Sequence, residues 1–362
     1  MADLTPESIW SYLEGMSKMH ASDLIISAHN PIKIRVRGVL KSLDTGELSE
    51  KLVEGMLKVI LTDAQLKRLQ EAWDLDCCLE KKGVGRFRTN VLKHRLGYMG
   101  VFRYIPEGIP EPAELGLDKV IKDLMQNHQG LVLVTGPIRS GKTTTMASLV
   151  NMIAQVEKKH IITIEDPIEY VYPMGTSMVN QREVSTHTQS TASAMRAALR
   201  EDPDIILVGE MRDLETMELA IGAAETGHLV LSTLQTKNAA KTIDRVVDAF
   251  PPKQVAQIRT LLSGSLKGVI SQKLIPHIDG QNMVMASEIL LANISLTKMI
   301  KEGKTFQIPS VMQIGRAHGM RELDYSIMEL VKAKQISPIM GLRYANNPKS
   351  LREEYQVQGI EI

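Results

Sequence analysis

The stretch LVLVTGPIRSGKTTTMASLVNMIAQVEKK (131–159) constrains the fold of this chain more than any other. LVLVTG (131–136) is a continuous run without polar alternation, the pattern of a strand buried on both faces of a mainly parallel sheet. Gly136, Gly141, Lys142 and Thr143 then fit the spacing G-x-x-x-x-G-K-[ST], and residues 143–159 read as a helix. Strand, glycine loop and helix in that order turn backbone N–H groups and a helix N-terminus toward a phosphate. On this reading Gly136, Pro137, Ile138, Arg139, Ser140, Gly141, Lys142, Thr143 and Thr144 form a nucleotide cradle. Lys142 reaches the β- and γ-phosphates, and the Thr143 hydroxyl holds Mg²⁺. The cofactors implied are ATP and Mg²⁺. Ile138 and Arg139 are bulky for such a loop. Glycine at 139 would take positive φ freely, whereas arginine there costs on the order of 1 kcal/mol. The arginine stem is long enough to point into solvent, toward the phosphates, or across a subunit interface.

The rhythm of strand, loop and helix continues through HIITIED (160–166), DIILVGE (204–210) and HLVLSTL (228–234). Between them lie helical patterns such as 214–227, which Gly227 would cap. Alternating strands and helices argue for an α/β sandwich. The last hundred residues read as mostly helical, with 323–336 the clearest case. The first hundred read as α+β. Thr5 and Pro6 open a helix as N-cap and first residue. Residues 23–40 form a hairpin or meander, 49–72 carry apolar residues at helical spacing, and 85–105 form two strands around Gly97. PEGIPEP (106–112) is a stiff connector. The expected organisation is an N-terminal domain at 1–105, a proline-rich linker at 106–116 and a C-terminal domain at 117–362.

The bulk properties exclude several classes. The 362 residues allow two domains, and a net charge of +1 gives no overall pull toward nucleic acid or membrane. No apolar run reaches the roughly 18–20 residues needed to span a bilayer. MADLTPESIW, at the start, has no basic region leading into an apolar core, so no leader is expected. Cys77 and Cys78 are the only cysteines. Adjacent cysteines rarely pair, and two cannot complete a structural zinc site. They read as small buried hydrophobes of a reducing, cytosolic protein.

A phosphate loop needs acidic partners on neighbouring strands. Glu210 stands where one apolar run leaves the sheet, the usual place for a residue that holds Mg²⁺ or its water. Glu165 and Asp166 end another run, and Pro167 stops it. A carboxylate there can polarise an attacking water, as general base or as orienter.

With these residues in view, the chain resembles the PilT/PilU family of type IV pilus retraction ATPases within the secretion-ATPase superfamily. ASDLIIS, TIEDPIEY, NQREV (180–184), ALREDPDIILVGEMRD (198–213), ETGHLVLSTL (225–234) and AAKTIDRVVDAFPP (239–252) carry the likeness along nearly the whole chain. It implies an N-terminal α+β PAS-like domain, a C-terminal RecA-like P-loop ATPase domain, and a homo-hexameric ring. It implies that Glu165 is the catalytic glutamate and Glu210 the Walker B residue. Arg88 and Arg103 match arginines that reach the γ-phosphate from the N-terminal domain. Read from the residues alone they are a solvated strand face, no different from Arg86 or Arg95. His228 matches the first histidine of the family's His box and counts among its catalytic residues, while Gln235 stands where the second is usual. The loop usually reads GPTGSGKST, so Ile138-Arg139 depart from it. The C-terminal retraction motif is present only loosely, as SLTKMIKEGK (295–304), and the tail 346–362 is similar to the accessory PilU-like branch. The low cysteine count favours the retraction branch over zinc-bearing secretion relatives.

The function implied is a cytoplasmic ATP-hydrolysing motor, peripheral at the inner-membrane pilus machine, that powers pilus retraction and twitching motility. Its implied partners are an inner-membrane platform protein and a paralogous retraction ATPase, with no nucleic acid and no direct membrane insertion. The alternative is a weakly active nucleotide-binding accessory subunit beside a principal motor. A DNA-directed motor fits poorly with the balanced charge.

Overall fold

The computed structural model describes residues 4–36 and 38–362. The first three residues of the stretch read for a leader, and Arg37 within 23–40, lie outside them. The chain forms two compact units. The first runs to Gly108 and takes in Asp166–Val171; the second comprises Ile109–Glu165 and Tyr172–Ile362. The first division falls inside the proline-rich segment. Residues 166–171, placed by sequence in the second domain, group with the first unit instead.

The first unit contains α1 (Ser8–Lys18), β1 (Ala21–Ser27), β2 (Lys33–Val36), β3 (Val39–Ser42), α2 (Glu50–Ile60), α3 (Asp63–Ala72), β4 (Asp74–Lys81), β5 (Gly85–His94) and β6 (Gly97–Ile105). Its strands form one antiparallel sheet in the order β3-β2-β1-β6-β5-β4. Strand alternation sorts its two faces. Phe87, Thr89 and Val91 are buried on one, and the core there joins Leu24, Ile26 and Phe102 to Ile9 and Leu13 of α1 and Val53 and Met56 of α2. Arg86, Arg88 and Arg103 belong to the other face, where Arg88 stands directly opposite Arg103.

Three local expectations shift. The first helix starts at Ser8, because Thr5 closes a separate turn: its carbonyl accepts from the Ser8 amide at 3.1 Å and its own amide donates to Ser8 Oγ at 3.1 Å. The helical stretch 49–72 is two helices. Thr62 restarts it with a reciprocal cap, its hydroxyl accepting from the Gln65 amide and its amide donating to Gln65 Oε1. Strand β4 was not expected, although Leu75, Cys77 and Leu79 alternate inward. Cys77 is buried as read. Cys78 is half-buried on the charged face, where its sulfur accepts from Arg86 Nη2 at 3.4 Å.

The second unit holds α4 (Lys119–Leu124), β7 (Gly130–Thr135), α5 (Lys142–Val156), β8 (His160–Glu165), β9 (Met178–Glu183), α6 (Thr191–Ala198), β10 (Ile205–Val208), α7 (Leu214–Glu225), β11 (Leu229–Leu234), α8 (Ala239–Asp248), α9 (Val255–Ser265), β12 (Leu266–Pro276) and β13 (Met283–Leu291). Helices α10 (Ile294–Glu302), α11 (Ile308–Ile314), α12 (Leu323–Lys332), α13 (Pro338–Tyr344) and α14 (Pro348–Val357) follow. The sheet order is β13-β12-β7-β11-β10-β8-β9, parallel throughout except for β13. Every residue of β7, β10 and β11 is buried. Leu131 and Leu133 face a layer that includes Ile221, Ile243 and Leu262; Val132 and Val134 face Met146, Leu149 and Ile153 of α5. These are the two covered faces that the unbroken apolar runs demand.

The expectation of a mostly helical last hundred residues is corrected by β12 and β13, a hairpin that widens the sheet. Its polar residues masked it, and each is accommodated by a hydrogen bond. Ser271 Oγ meets Thr135 Oγ1 at 2.7 Å, Gln272 Nε2 donates to the Ser140 carbonyl at 2.6 Å, and Lys273 Nζ donates to the Tyr344 carbonyl at 2.8 Å.

Glu288, on β13, is a buried acid with a strongly raised pKa. Its Oε1 accepts from the Ala239 amide at the start of α8 at 2.7 Å, and its Oε2 from Asn346 Nδ2 at 3.4 Å. Burial pushes the carboxyl up to about 7, the Ala239 amide and Lys273 opposing and Asp324 and Glu322 adding. An acid that holds its proton more tightly when folded contributes stability that is complete below its unfolded value, near 4.5, and is lost as pH rises toward 7. Glu288→Gln keeps the acceptor but has no proton to lose. The stability of the wild type relative to this variant should therefore fall by on the order of 3 kcal/mol between pH 4.5 and pH 7.5. Chemical denaturation at both pH values measures it, and a pH-independent difference would show that the group does not titrate in this window.

Candidate active site

The loop between β7 and α5 departs from ordinary backbone at three places. Gly136 has φ +149°, and a Cβ there would run into the Gln272 carbonyl and Ser140 Oγ. Gly141 has φ +84° and is the N-cap of α5. Arg139 has φ +66°, so the arginine occupies the left-handed backbone region that a glycine would take without strain. Its neighbours Ile138 and Ser140 diverge: Ile138 is exposed, while Ser140 is buried and held through its carbonyl by Gln272. Arg139, Lys273 and Arg343 line a cleft of about 370 Å³ on the flank of the loop.

Lys142 folds back over this loop, its Nζ donating to the carbonyls of Gly136 at 3.0 Å and Pro137 at 2.8 Å. Burial lowers its pKa, and the charge of Glu210 partly restores it. Thr143 is exposed in the first turn of α5.

The carboxyl ends of the neighbouring parallel strands supply the rest. Glu165 closes β8 and is only 8% exposed. Its Oε1 accepts from Thr163 Oγ1 at 2.7 Å and from Gln181 Nε2 of β9 at 3.0 Å. Glu210 stands two residues beyond β10. Its Oε2 accepts from Arg212 Nε at 2.7 Å and its Oε1 from Gln235 Nε2 at 2.8 Å. Gln235 is the residue that follows β11. Loop, Glu165, Glu210 and Gln235 thus gather at one edge of the sheet, where open α/β sheets bind their ligands.

His228 does not join them. It precedes β11 at the opposite end from Gln235, six strand residues or roughly 20 Å away. Its Nδ1 lies 3.1 Å from the Ala223 carbonyl in the last turn of α7. Its assignment as a catalytic residue is therefore corrected to a helix-end contact: the direction of the strand decides which end of the motif meets the phosphate loop.

Arg88 and Arg103 lie in the first unit, each on carboxylates. Arg88 donates through Nη1 to Glu169 Oε1 and through Nη2 to Asp76 Oδ2, both at 2.9 Å. Burial works against its charge, but the two carboxylates together outweigh this and raise its pKa. Arg103 Nε donates to Asp23 Oδ1 at 3.0 Å, and Asp23 is buried. Sequence reasoning missed Arg86, which donates to the carbonyls of Ile168 at 2.8 Å and Glu169 at 3.2 Å. The alternation that puts Arg86 and Arg88 on one face was the available signal. Thr163, Gln181 and Arg212, which brace the two glutamates, were missed as well. Gln181 lay inside a quoted motif, but its partner became visible only with the parallel register of β8 on β9.

The cradle fits a nucleoside triphosphate. Glycine is required at Gly136 by the close approach of Gln272, the N-terminus of α5 opens on the loop, and Lys142 supplies a cation over the loop. The buried Ser140 Oγ has no hydrogen-bond partner among the described residues. Thr143 and Glu210 suit Mg²⁺, which takes one or two protein oxygens beside phosphate oxygens. No cluster of three or more acidic, histidine or cysteine ligands occurs among the described residues.

A family model described as "Type II/IV secretion system protein" matches residues 10–336. The type IV pilus retractation ATPase PilT of Pseudomonas aeruginosa is 46% identical over 321 residues, 89% of this chain and 93% of that protein. The type IV pilus ATPase PilU of the same organism is 32% identical over 337 residues, 93% of this chain and 88% of that one. A crystal structure of the pilus retraction motor PilT with bound ADP superposes with a TM-score of 0.87 at 41% identity, covering 97% of this chain and all of the other.

The contact between Gln235 and Glu210 is a neutral donor on a carboxylate. Histidine can also donate there, whereas alanine cannot. Gln235→His should change the steady-state ATPase rate less than tenfold and Gln235→Ala should cost more. Equal effects of the two substitutions would show that the residue only packs.

Proposed function

The chain belongs to the type II/IV secretion system protein family, and from that premise we propose that it is an ATP-hydrolysing ring motor that powers type IV pilus retraction and thereby twitching motility. The observation that carries this reading is the convergence of the phosphate loop, Glu165, Glu210 and Gln235 on one edge of the sheet. The likeness to PilT over nearly the whole length supports it.

The reaction follows from these groups. Loop amides and the α5 N-terminus hold the phosphates. Lys142 exchanges the Gly136 and Pro137 carbonyls for phosphate oxygens. Glu165, aimed by Thr163 and Gln181, orients the attacking water or takes its proton. The water oxygen bonds to the γ-phosphorus as the bond to the ADP oxygen breaks. Thr143 and Glu210 would hold Mg²⁺, which when bound neutralises charge on the β- and γ-oxygens. Arg88 and Arg103 would stabilise the transferring phosphoryl group. Six copies would close the ring, engaging a platform protein at the inner membrane from the cytoplasmic side and working beside a paralogous ATPase. No described helix is long and apolar enough to cross a membrane.

A second reading, a weakly active accessory subunit, is favoured by one observation: the strained arginine at 139 in the loop. Steady-state turnover of the purified ring separates the two. In the motor, Glu165→Gln should keep ATP binding and lose hydrolysis by roughly two orders of magnitude or more, whereas Lys142→Ala should lose binding itself. Wild-type turnover in Glu165→Gln would remove Glu165 from the role of base. Light scattering at micromolar concentration should show a six-subunit particle, and a monomer both with and without nucleotide would count against the ring.

A further inference from the structure

Glutamine is a poor choice for stability at position 272. The residue is 1% exposed on β12, and its side chain makes one hydrogen bond, Nε2 donating to the Ser140 carbonyl at 2.6 Å. Its Oε1 has no partner among the described residues. A buried acceptor left unpaired destabilises, whereas an apolar side chain of similar shape would not. The gain lies in the loop. The carbonyl that Gln272 holds belongs to the peptide joining Ser140 to Gly141, and in a planar trans peptide the N–H points opposite to the C=O. With the C=O fixed toward β12, the Gly141 N–H is turned away from that strand. This N–H donates to no protein group among the described residues. Gly141 itself has φ +84°. Glycine takes either sign of φ with similar ease, so this one peptide could rotate and exchange its amide for its carbonyl at little intrinsic cost. The bond from Gln272 opposes that rotation. It comes from a firm support, because Ser271 Oγ, one residue earlier, meets Thr135 Oγ1 of β7 at 2.7 Å.

We propose that Gln272 is a positioning residue of the nucleotide site: by holding the Ser140 carbonyl it keeps the next peptide N–H, that of Gly141, turned toward the phosphates. This rests on the reading of the loop as a nucleotide cradle. A rotated peptide would present a carbonyl oxygen in place of a charge-assisted donor, and so repel the phosphate that it should bind. Amides of such a loop meet the α- and β-phosphates, which ADP and ATP share. The effect therefore falls on both nucleotides alike, unlike that of a group that reads the γ-phosphate. It is also separate from Lys142, whose Nζ lies on the carbonyls of Gly136 and Pro137. Gln272 touches no reacting atom and acts only through the backbone of Ser140 and Gly141. A hydrogen bond to a charged group shifts a binding equilibrium by roughly tenfold or more.

The test measures binding of ADP and of a non-hydrolysable β,γ-imido ATP analogue, with Mg²⁺, to the full chain carrying Gln272→Met. Methionine keeps the length of the side chain and removes the donor. Gln272→Leu, of similar volume, keeps the comparison available if the methionine variant folds poorly. Both nucleotides should bind roughly tenfold more weakly, with the ratio of their affinities held within about twofold. The thermal midpoint measured without nucleotide should not fall, because the unpaired Oε1 is gone as well. In turnover the loss should appear in KM more than in kcat, since the lost contact is made before and during the chemical step alike. Affinities within about twofold of the wild type in both variants overturn the proposal. So does a loss of affinity accompanied in both variants by a lower midpoint without nucleotide, which would make Gln272 a packing residue, and so does a loss confined to the triphosphate analogue. The wild type tells the two failures apart. If it binds both nucleotides and the variants bind them equally well, only the role of Gln272 falls; if it binds neither, the reading of the loop as a cradle falls, and the proposal falls with it.

Discussion

Burial of the parallel strands on both faces is the constraint from which the second unit follows. With Leu131 and Leu133 packed into one layer and Val132 and Val134 into the other, no side chain along β7 remains for chemistry. Polar function is driven to the strand ends, and parallel direction makes all the carboxyl ends share one edge. The phosphate loop, two glutamates and a glutamine meet there although they are far apart in sequence. The loop itself is fastened from the side. Gln272 on β12 holds the Ser140 carbonyl and leaves room only for glycine at 136.

Around this edge the acids are held by uncharged donors as much as by cations. Glu165 rests on a threonine and a glutamine, and Glu210 on a glutamine and an arginine. Gln235 matters in this light. Its donor role does not depend on pH, whereas an imidazole would change charge near neutrality.

Much of this was legible in the sequence because its signals are local. The loop spacing, the apolar runs of β7, β8, β10 and β11, and the positive φ at Arg139 each follow from a few adjacent residues. What escaped depends on distant partners. The hairpin of β12 and β13 hid because Ser271, Gln272 and Lys273 look like surface residues until Thr135, Ser140 and Tyr344 come to meet them. Strand β4 hid because its inward residues include only two leucines and a cysteine. His228 was misplaced because a motif read as a string carries no strand direction, whereas the register of β11 on β7 puts its two ends at opposite edges of the sheet. Arg86 and Glu169 could not be paired at all without the fold, being 83 residues apart.

The division of the chain has a consequence for its connectivity. The backbone passes between the two units after Gly108, after Glu165 and again after Val171. A cut in the proline-rich segment would leave residues 1–108 without a covalent link to the rest, held only by noncovalent contacts such as those of Arg86 and Arg88 to Asp166–Val171. A fragment ending at Gly108 would in turn lack those six residues and leave both guanidinium groups without their principal partners in that segment. The backbone thus joins the two units three times where a simple tandem joins them once, and Asp166–Val171 stays covalently part of the second unit's chain whatever happens to the connector.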